Sequence, residues 1–144
     1  MNIEPTIFKA YDIRGIYPEQ LNESAAYAVG RGFATLMMKE NQGRELTIGV
    51  SGDMRDSTPA LKAEVIRGLT DTGIHVIDLG LLSSPTYYFG VSYYNLDGGI
   101  QITASHNPKE YNGLKMVRAR AVAMGGHTGI YEIHEIIKTD AFLP

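Results

Sequence analysis

The chain has 144 residues, 44% apolar and 20% charged, which suits one foldable domain and excludes a wholly disordered chain. Thirteen basic against sixteen acidic residues leave a net charge of -3, which speaks against a broad basic nucleic-acid surface. The absence of cysteine removes disulfides, cysteine-ligated metals and thiol nucleophiles, and fits a reducing, cytoplasmic setting.

Thr6–Ala10 is predicted as a short strand leading into the polar turn Tyr11 to Gly15. Asn22 is placed to cap a helix from Glu23 to Glu40, whose apolar stripe runs through Ala26, Val29, Phe33 and Leu36. Leu46–Val50 reads as a strand, followed by the loop Ser51 to Ser57. Thr58-Pro59 opens the next helix, with proline where a missing N–H does no harm, and Gly73 stops it. Ile74–Leu79 is the next strand. Ser84-Pro85 repeats the signal ahead of a shorter helix from Thr86 to about Tyr94. Gly98–Thr103 and Gly113–Val117 are strands too close in sequence for a crossover helix, so they are expected to pair antiparallel. Thr128 is expected to cap a last helix through Ile130, Ile133, Ile136 and Ile137.

This alternation predicts an α/β fold, a three-layer αβα domain with a mixed, mostly parallel sheet over residues 1–144. The longest uncharged run, Leu79 to Leu96, is broken by Gly80, Ser83-Ser84-Pro85 and Asn95, so no membrane span is expected.

Motifs for several chemistries are missing. Gly30-Arg31-Gly32 lies within a predicted helix and lacks a third glycine at Thr35, so it reads as small residues for close packing. There is no Gly-Lys dipeptide of a nucleotide loop and no Gly-x-Ser-x-Gly elbow. His75, His127 and His134 have no zincin spacing and read as structural or solvated. Asp12, Asp53 and Asp56 are possible cation ligands, although Asp53 and Asp56 flank Arg55 and favour a local turn network. The aromatic group Tyr87, Tyr88, Phe89, Tyr93 and Tyr94 reads as core or as an interdomain face.

The segment Thr103-Ala104-Ser105-His106-Asn107-Pro108, followed by Lys109 to Lys115, is dense in hydroxyl, imidazole, amide and ammonium groups. A Ser/Asn-Pro turn is the plain alternative, but the loop is long for a hairpin turn and Ser105 emerges just beyond an apolar strand. A serine hydroxyl needs a base, a metal or prior modification to act, and His106 points to the opposite side in extended backbone. A phosphorylated Ser105 would carry nearly two negative charges and require cations, for which Arg14 and Lys115 are the candidates.

This loop, with Asn112-Gly113-Leu114-Lys115 behind it, resembles the active-site serine loop of the α-D-phosphohexomutases. Phe8-Lys9-Ala10-Tyr11-Asp12-Ile13-Arg14-Gly15 is similar to the family's amino-terminal motif, most of all in its phosphomannomutase/phosphoglucomutase branch. Gly52 to Ser57 and Ser84-Pro85-Thr86 resemble two further family segments in the same order. Where the family usually carries Gly-Arg-Asp, this chain has Ser51-Gly52-Asp53, and Arg118–Gly126 also departs from its pattern.

The resemblance implies that Ser105 is a phosphoserine that donates to a sugar hydroxyl. The reaction would interconvert hexose 1-phosphate and hexose 6-phosphate through a hexose 1,6-bisphosphate. It implies that Arg14 and Lys115 steady the transferring group, that His106 and Asn107 shape the loop, and that Mg2+ meets Ser105 through its phosphate. The family's Asp-Gly-Asp-x-Asp-Arg metal loop and its sugar and distal-phosphate loops are absent from this sequence. The expectation is therefore an amino-terminal domain whose partners are the remaining domains of the same enzyme, inactive alone. A stand-alone sugar-phosphate-binding module is the alternative, and a serine hydrolase using Ser105 and His106 a third.

Overall fold

A computed structural model describes residues 2–144. Its strands are β1 (Ile13–Ile16), β2 (Thr47–Gly52), β3 (His75–Leu81), β4 (Gly98–Ile102), β5 (Tyr111–Arg118) and β6 (Val122–Ala123). The helices are α1 (Glu23–Glu40), α2 (Thr58–Asp71), α3 (Ser84–Tyr93) and α4 (Tyr131–Lys138). The sheet order is β1-β5-β4-β2-β3, with β6 beside β5. β2 runs parallel to both β3 and β4, while β5 is antiparallel to β4, β1 and β6. Only β5 therefore runs against the common direction, and the sheet is mixed and mostly parallel as expected.

Side chains alternate across this sheet with the two-residue period of a strand. Ile100, Ile102, Leu114 and Met116 join the larger core beneath α1, α2 and α4. Val117 joins the smaller cluster under α3, with Tyr87, Val91 and Leu96. The result is three layers, with both sheet faces covered over most of their area. Gly30 and Gly68 allow α1 and α2 to touch backbone to backbone, and Gly32 meets Ile133 of α4. Close packing thus accounts for the Gly30-Arg31-Gly32 triplet.

Asn22 caps α1 as its sequence suggests, its side-chain oxygen accepting the Ala25 N–H at 2.9 Å. Other boundaries differ. The predicted strand Thr6–Ala10 is replaced by a 3-10 turn at Pro5–Ile7, and Phe8 makes a single bridge to Ile13. The strand begins instead inside the expected polar turn, where Ile13–Ile16 finds a partner in β5. Helix α3 starts at Ser84 rather than Thr86, because Ser83 supplies the cap by accepting the Thr86 N–H. Thr128 does not cap the last helix. It sits within a π-helical turn, Gly126–Ile130, where its hydroxyl accepts the Gly125 N–H at 2.7 Å, and α4 follows.

The aromatic group divides. Tyr87 is fully buried and Tyr88 half-buried, whereas Phe89, Tyr93 and Tyr94 are exposed on α3. Among the described residues, no helix is long and apolar enough to cross a membrane.

Candidate active site

The site forms where the loop after β2 meets the loop after β4, at the carboxyl ends of neighbouring parallel strands, where open α/β sheets place ligands. Thr103 continues the β4–β5 ladder, donating its N–H to Gly113 O at 2.8 Å. Thr103 and Ala104 are buried, and the chain then turns outward at Ser105. Asn107 N–H closes that turn onto Ala104 O at 3.0 Å. Ser105 has a φ of 55°, in the left-handed region that non-glycine residues seldom adopt. Its N–H donates to Thr103 Oγ1 at 3.0 Å, while its own hydroxyl is exposed and forms no hydrogen bond among the described residues.

Asp53 organises the floor of this loop. Its carboxylate accepts from the Thr103 hydroxyl at 2.7 Å, the Thr58 hydroxyl at 2.8 Å and the Arg55 N–H at 3.1 Å, and pairs with Arg55 Nε at 3.1 Å. Burial alone would raise the Asp53 carboxyl, but these hydrogen bonds and the Arg55 charge outweigh it and hold it below the ordinary carboxylate range. Buried Asn112 donates to Ser57 Oγ at 2.8 Å and Thr58 Oγ1 at 3.0 Å, tying β5 to the start of α2.

Arg55 reaches further than a local turn network. Its side chain, only 10% exposed, donates to Ser105 O at 3.0 Å, Asn107 O at 2.8 Å, Pro108 O at 2.6 Å and Tyr111 O at 3.1 Å. Asp53 does pair with Arg55 as the spacing suggests, whereas Asp56 is exposed and makes no ion pair among the described residues.

Arg14 approaches the same loop from β1. It donates to Asn107 Oδ1 at 2.7 Å, pairs with Asp12, and keeps a buried Nε without a partner. Burial raises the Asp12 carboxyl above its ordinary range despite the opposing charges of Arg14, Lys115 and Lys9. Lys115 lies on β5 opposite Gln101, half-buried, and shares with Arg14, Asp12 and Tyr88 a cavity of about 590 Å³. Ser105 opens into a separate hollow of about 430 Å³ with Met54, Asp56 and Lys109. Arg14 is thus joined to the serine loop through Asn107, and neither Arg14 nor Lys115 hydrogen-bonds Ser105 itself. His106 is exposed and makes no hydrogen bond to Ser105, so the pair has no hydrolase geometry here. Of the other histidines, His134 stacks on Phe8 at 4.2 Å and His127 packs edge-on against Tyr131, both structural arrangements.

The matching family model is described as phosphoglucomutase/phosphomannomutase, alpha/beta/alpha domain I, and it covers residues 5–143. The chain belongs to this family. A phosphomannomutase of Vibrio cholerae is 42% identical over 97% of this chain, which spans 30% of that protein. A Klebsiella pneumoniae phosphomannomutase is 42% identical over 96% of this chain, here spanning 85% of the relative. The crystal structure of a phosphoglucomutase/phosphomannomutase family protein from Burkholderia thailandensis superposes with a TM-score of 0.89 at 34% identity. It covers 99% of this chain and 32% of its own. The three-layer fold is therefore that of a phosphoglucomutase/phosphomannomutase domain I.

The serine loop lies on the β4–β5 connection as the sequence indicates, but the reach of Arg55 and the hydrogen bonds of Thr58, Thr103 and Asn112, all present in the motifs, could not be read from it. The only sequence signal for that network is the run of short polar residues at strand ends. Its meaning depends on which loops the sheet order makes neighbours.

Proposed function

We propose that Ser105 carries the phosphoryl group of a phosphohexomutase reaction interconverting hexose 1-phosphate and hexose 6-phosphate. The observation that supports this most directly is an exposed serine, its hydroxyl unengaged, at the carboxyl end of a central strand. Beside it stands Asn107, held by Arg14. In the forward half-reaction the Oγ–P bond of phosphoserine breaks as a bond forms between phosphorus and a sugar hydroxyl oxygen. The hydroxyl proton is passed, over the whole transfer, to Ser105 Oγ. The hexose 1,6-bisphosphate then returns its other phosphoryl group to Ser105 by the same exchange in reverse.

Phosphoryl transfer depends on positioning and charge neutralisation more than on covalent chemistry. Arg14 supplies positive charge against the loop through Asn107, and Lys115 adds a second cation in the cavity that it shares with Arg14. Among the described residues no group of three or more Asp, Glu, His or Cys is placed to hold a metal ion. From this chain Mg2+ would be met by the phosphate on Ser105, where it would neutralise charge on the transferring group. The cysteine-free composition supports a reducing, cytoplasmic setting.

Incubation of the full-length protein with glucose 1,6-bisphosphate or mannose 1,6-bisphosphate, followed by intact-mass and phosphopeptide analysis, tests the assignment. The expected result is one phosphoryl group on Ser105, lost in Ser105→Ala. Phosphate on another residue, or none on the folded full-length protein, overturns it. The 144 residues alone are expected to turn over no hexose 1-phosphate, since they contain neither the metal aspartates nor the sugar loops of the family. Robust turnover would refute that part.

A further inference from the structure

We infer that Arg55 is the positioning residue of the serine loop, setting where Ser105 Oγ stands through the loop's backbone rather than by touching the substrate. This rests on the reading of Ser105 as the phosphoryl carrier.

A guanidinium has five N–H donors in a rigid planar fork. In Arg55 all five are engaged: Nε with Asp53, one terminal nitrogen with Pro108 O and Tyr111 O, the other with Ser105 O and Asn107 O. Three of the four carbonyls belong to the serine loop, that of Ser105 itself among them, and the fourth, Tyr111 O, opens β5 where the loop ends. No donor remains for a phosphate, and the charge is balanced by Asp53, so Arg55 is not built as a substrate ligand.

Drawing these carbonyls toward one buried cation fixes the loop from its inner side and leaves its outer side, with Ser105 Oγ, exposed. The left-handed φ of Ser105 is a strained conformation that persists where its surroundings over-determine it. Arg55, together with the Ser105 N–H to Thr103 Oγ1 bond, provides that constraint. Lysine cannot substitute, because an ammonium has three donors and no planar fork with which to span four carbonyls and a carboxylate.

The test uses Arg55→Lys and Arg55→Ala in the full-length protein, followed by two measurements. The first is amide hydrogen exchange across residues 103–111. The second is the dependence of Ser105 phosphorylation on hexose 1,6-bisphosphate concentration. Both variants are expected to accelerate exchange in this loop and not in the β2–β4 core. The saturating phosphorylation rate should fall about 100-fold, the scale expected when a reacting group is displaced by about 1 Å, with little change in the half-saturating concentration. Added guanidinium ion should restore part of the rate in Arg55→Ala.

Unchanged loop protection, or a loss confined to the half-saturating concentration, overturns the proposal. If Arg55→Ala fails to fold, Arg55→Lys, which retains the stem and the charge, decides the question. Loop exchange that depends on Arg55 in a protein never phosphorylated at Ser105 would overturn the carrier assignment and leave the clamp standing. Phosphorylation of Ser105 that is indifferent to Arg55 would do the reverse.

Discussion

Asp53 Oδ2 accepts the Thr103 hydroxyl at 2.7 Å, joining the loop after β2 to the loop after β4 across fifty positions of sequence. Thr103 in turn accepts the Ser105 N–H, so a carboxylate two bonds away supports the residue proposed to carry the phosphoryl group. The Asp53 carboxyl is held below its ordinary value of 3.8 because the folded state binds its charged form more tightly than the unfolded chain does. Its contribution to stability is therefore fully present above that ordinary value and is lost as pH falls through the lower folded one.

Asp53→Asn is accordingly expected to destabilise the fold by about 2 kcal/mol at neutral pH, the scale of hydrogen bonds to a charged group. The gap from the unsubstituted chain should narrow on acidification below the ordinary carboxylate range. Asp12, whose carboxyl is raised, contributes in the opposite sense, favouring the fold at acid pH and losing that contribution as pH rises through its folded value. Comparison with Asp53→Asn at each pH cancels the Asp12 effect. Urea denaturation from pH 3 to pH 8 would measure this, and a pH-independent difference would contradict the role given to the Asp53 charge.

The backbone of Ser105 leads to a second expectation. A φ of 55° strains any side chain bearing a Cβ, and glycine is free of that strain. Ser105→Gly should be more stable than Ser105→Ala by about 1 kcal/mol, although both lack the hydroxyl. Equal stabilities would show that the left-handed turn is not retained.

Packing between α1 and α2 supplies a third. A Cβ at Gly30 would stand 2.7 Å from Val65 O, a backbone atom that cannot step aside. Gly30→Ala should therefore cost about 1–3 kcal/mol through overpacking, in spite of alanine's better helix propensity. At Gly90 in α3 the nearest atom is the flexible Leu79 side chain at 3.6 Å. Gly90→Ala should stabilise by about 0.5–1 kcal/mol. The two unfolding midpoints should move in opposite directions.

Local chemistry is what the sequence by itself determined. Asn22 before an amphipathic stretch, proline in the first turn of α2 and α3, and alternating apolar residues at Ile100 and Ile102 each act within a few residues of chain. They made the helices, the strands and the antiparallel β4–β5 return legible, and with them the position of Ser105 at a strand end. The first strand was not legible, because Ile13–Ile16 is extended only through its pairing with β5, about a hundred residues later. The partnership of Arg55 with three carbonyls of the Ser105 loop and the first of β5 was equally invisible, for the same reason. Sequence places Arg55 beside Asp53 and Asp56, so a local turn network was the natural reading. Only the parallel register of β2 against β4 brings the two loops together, and only there does a buried guanidinium find enough acceptors for all five of its donors.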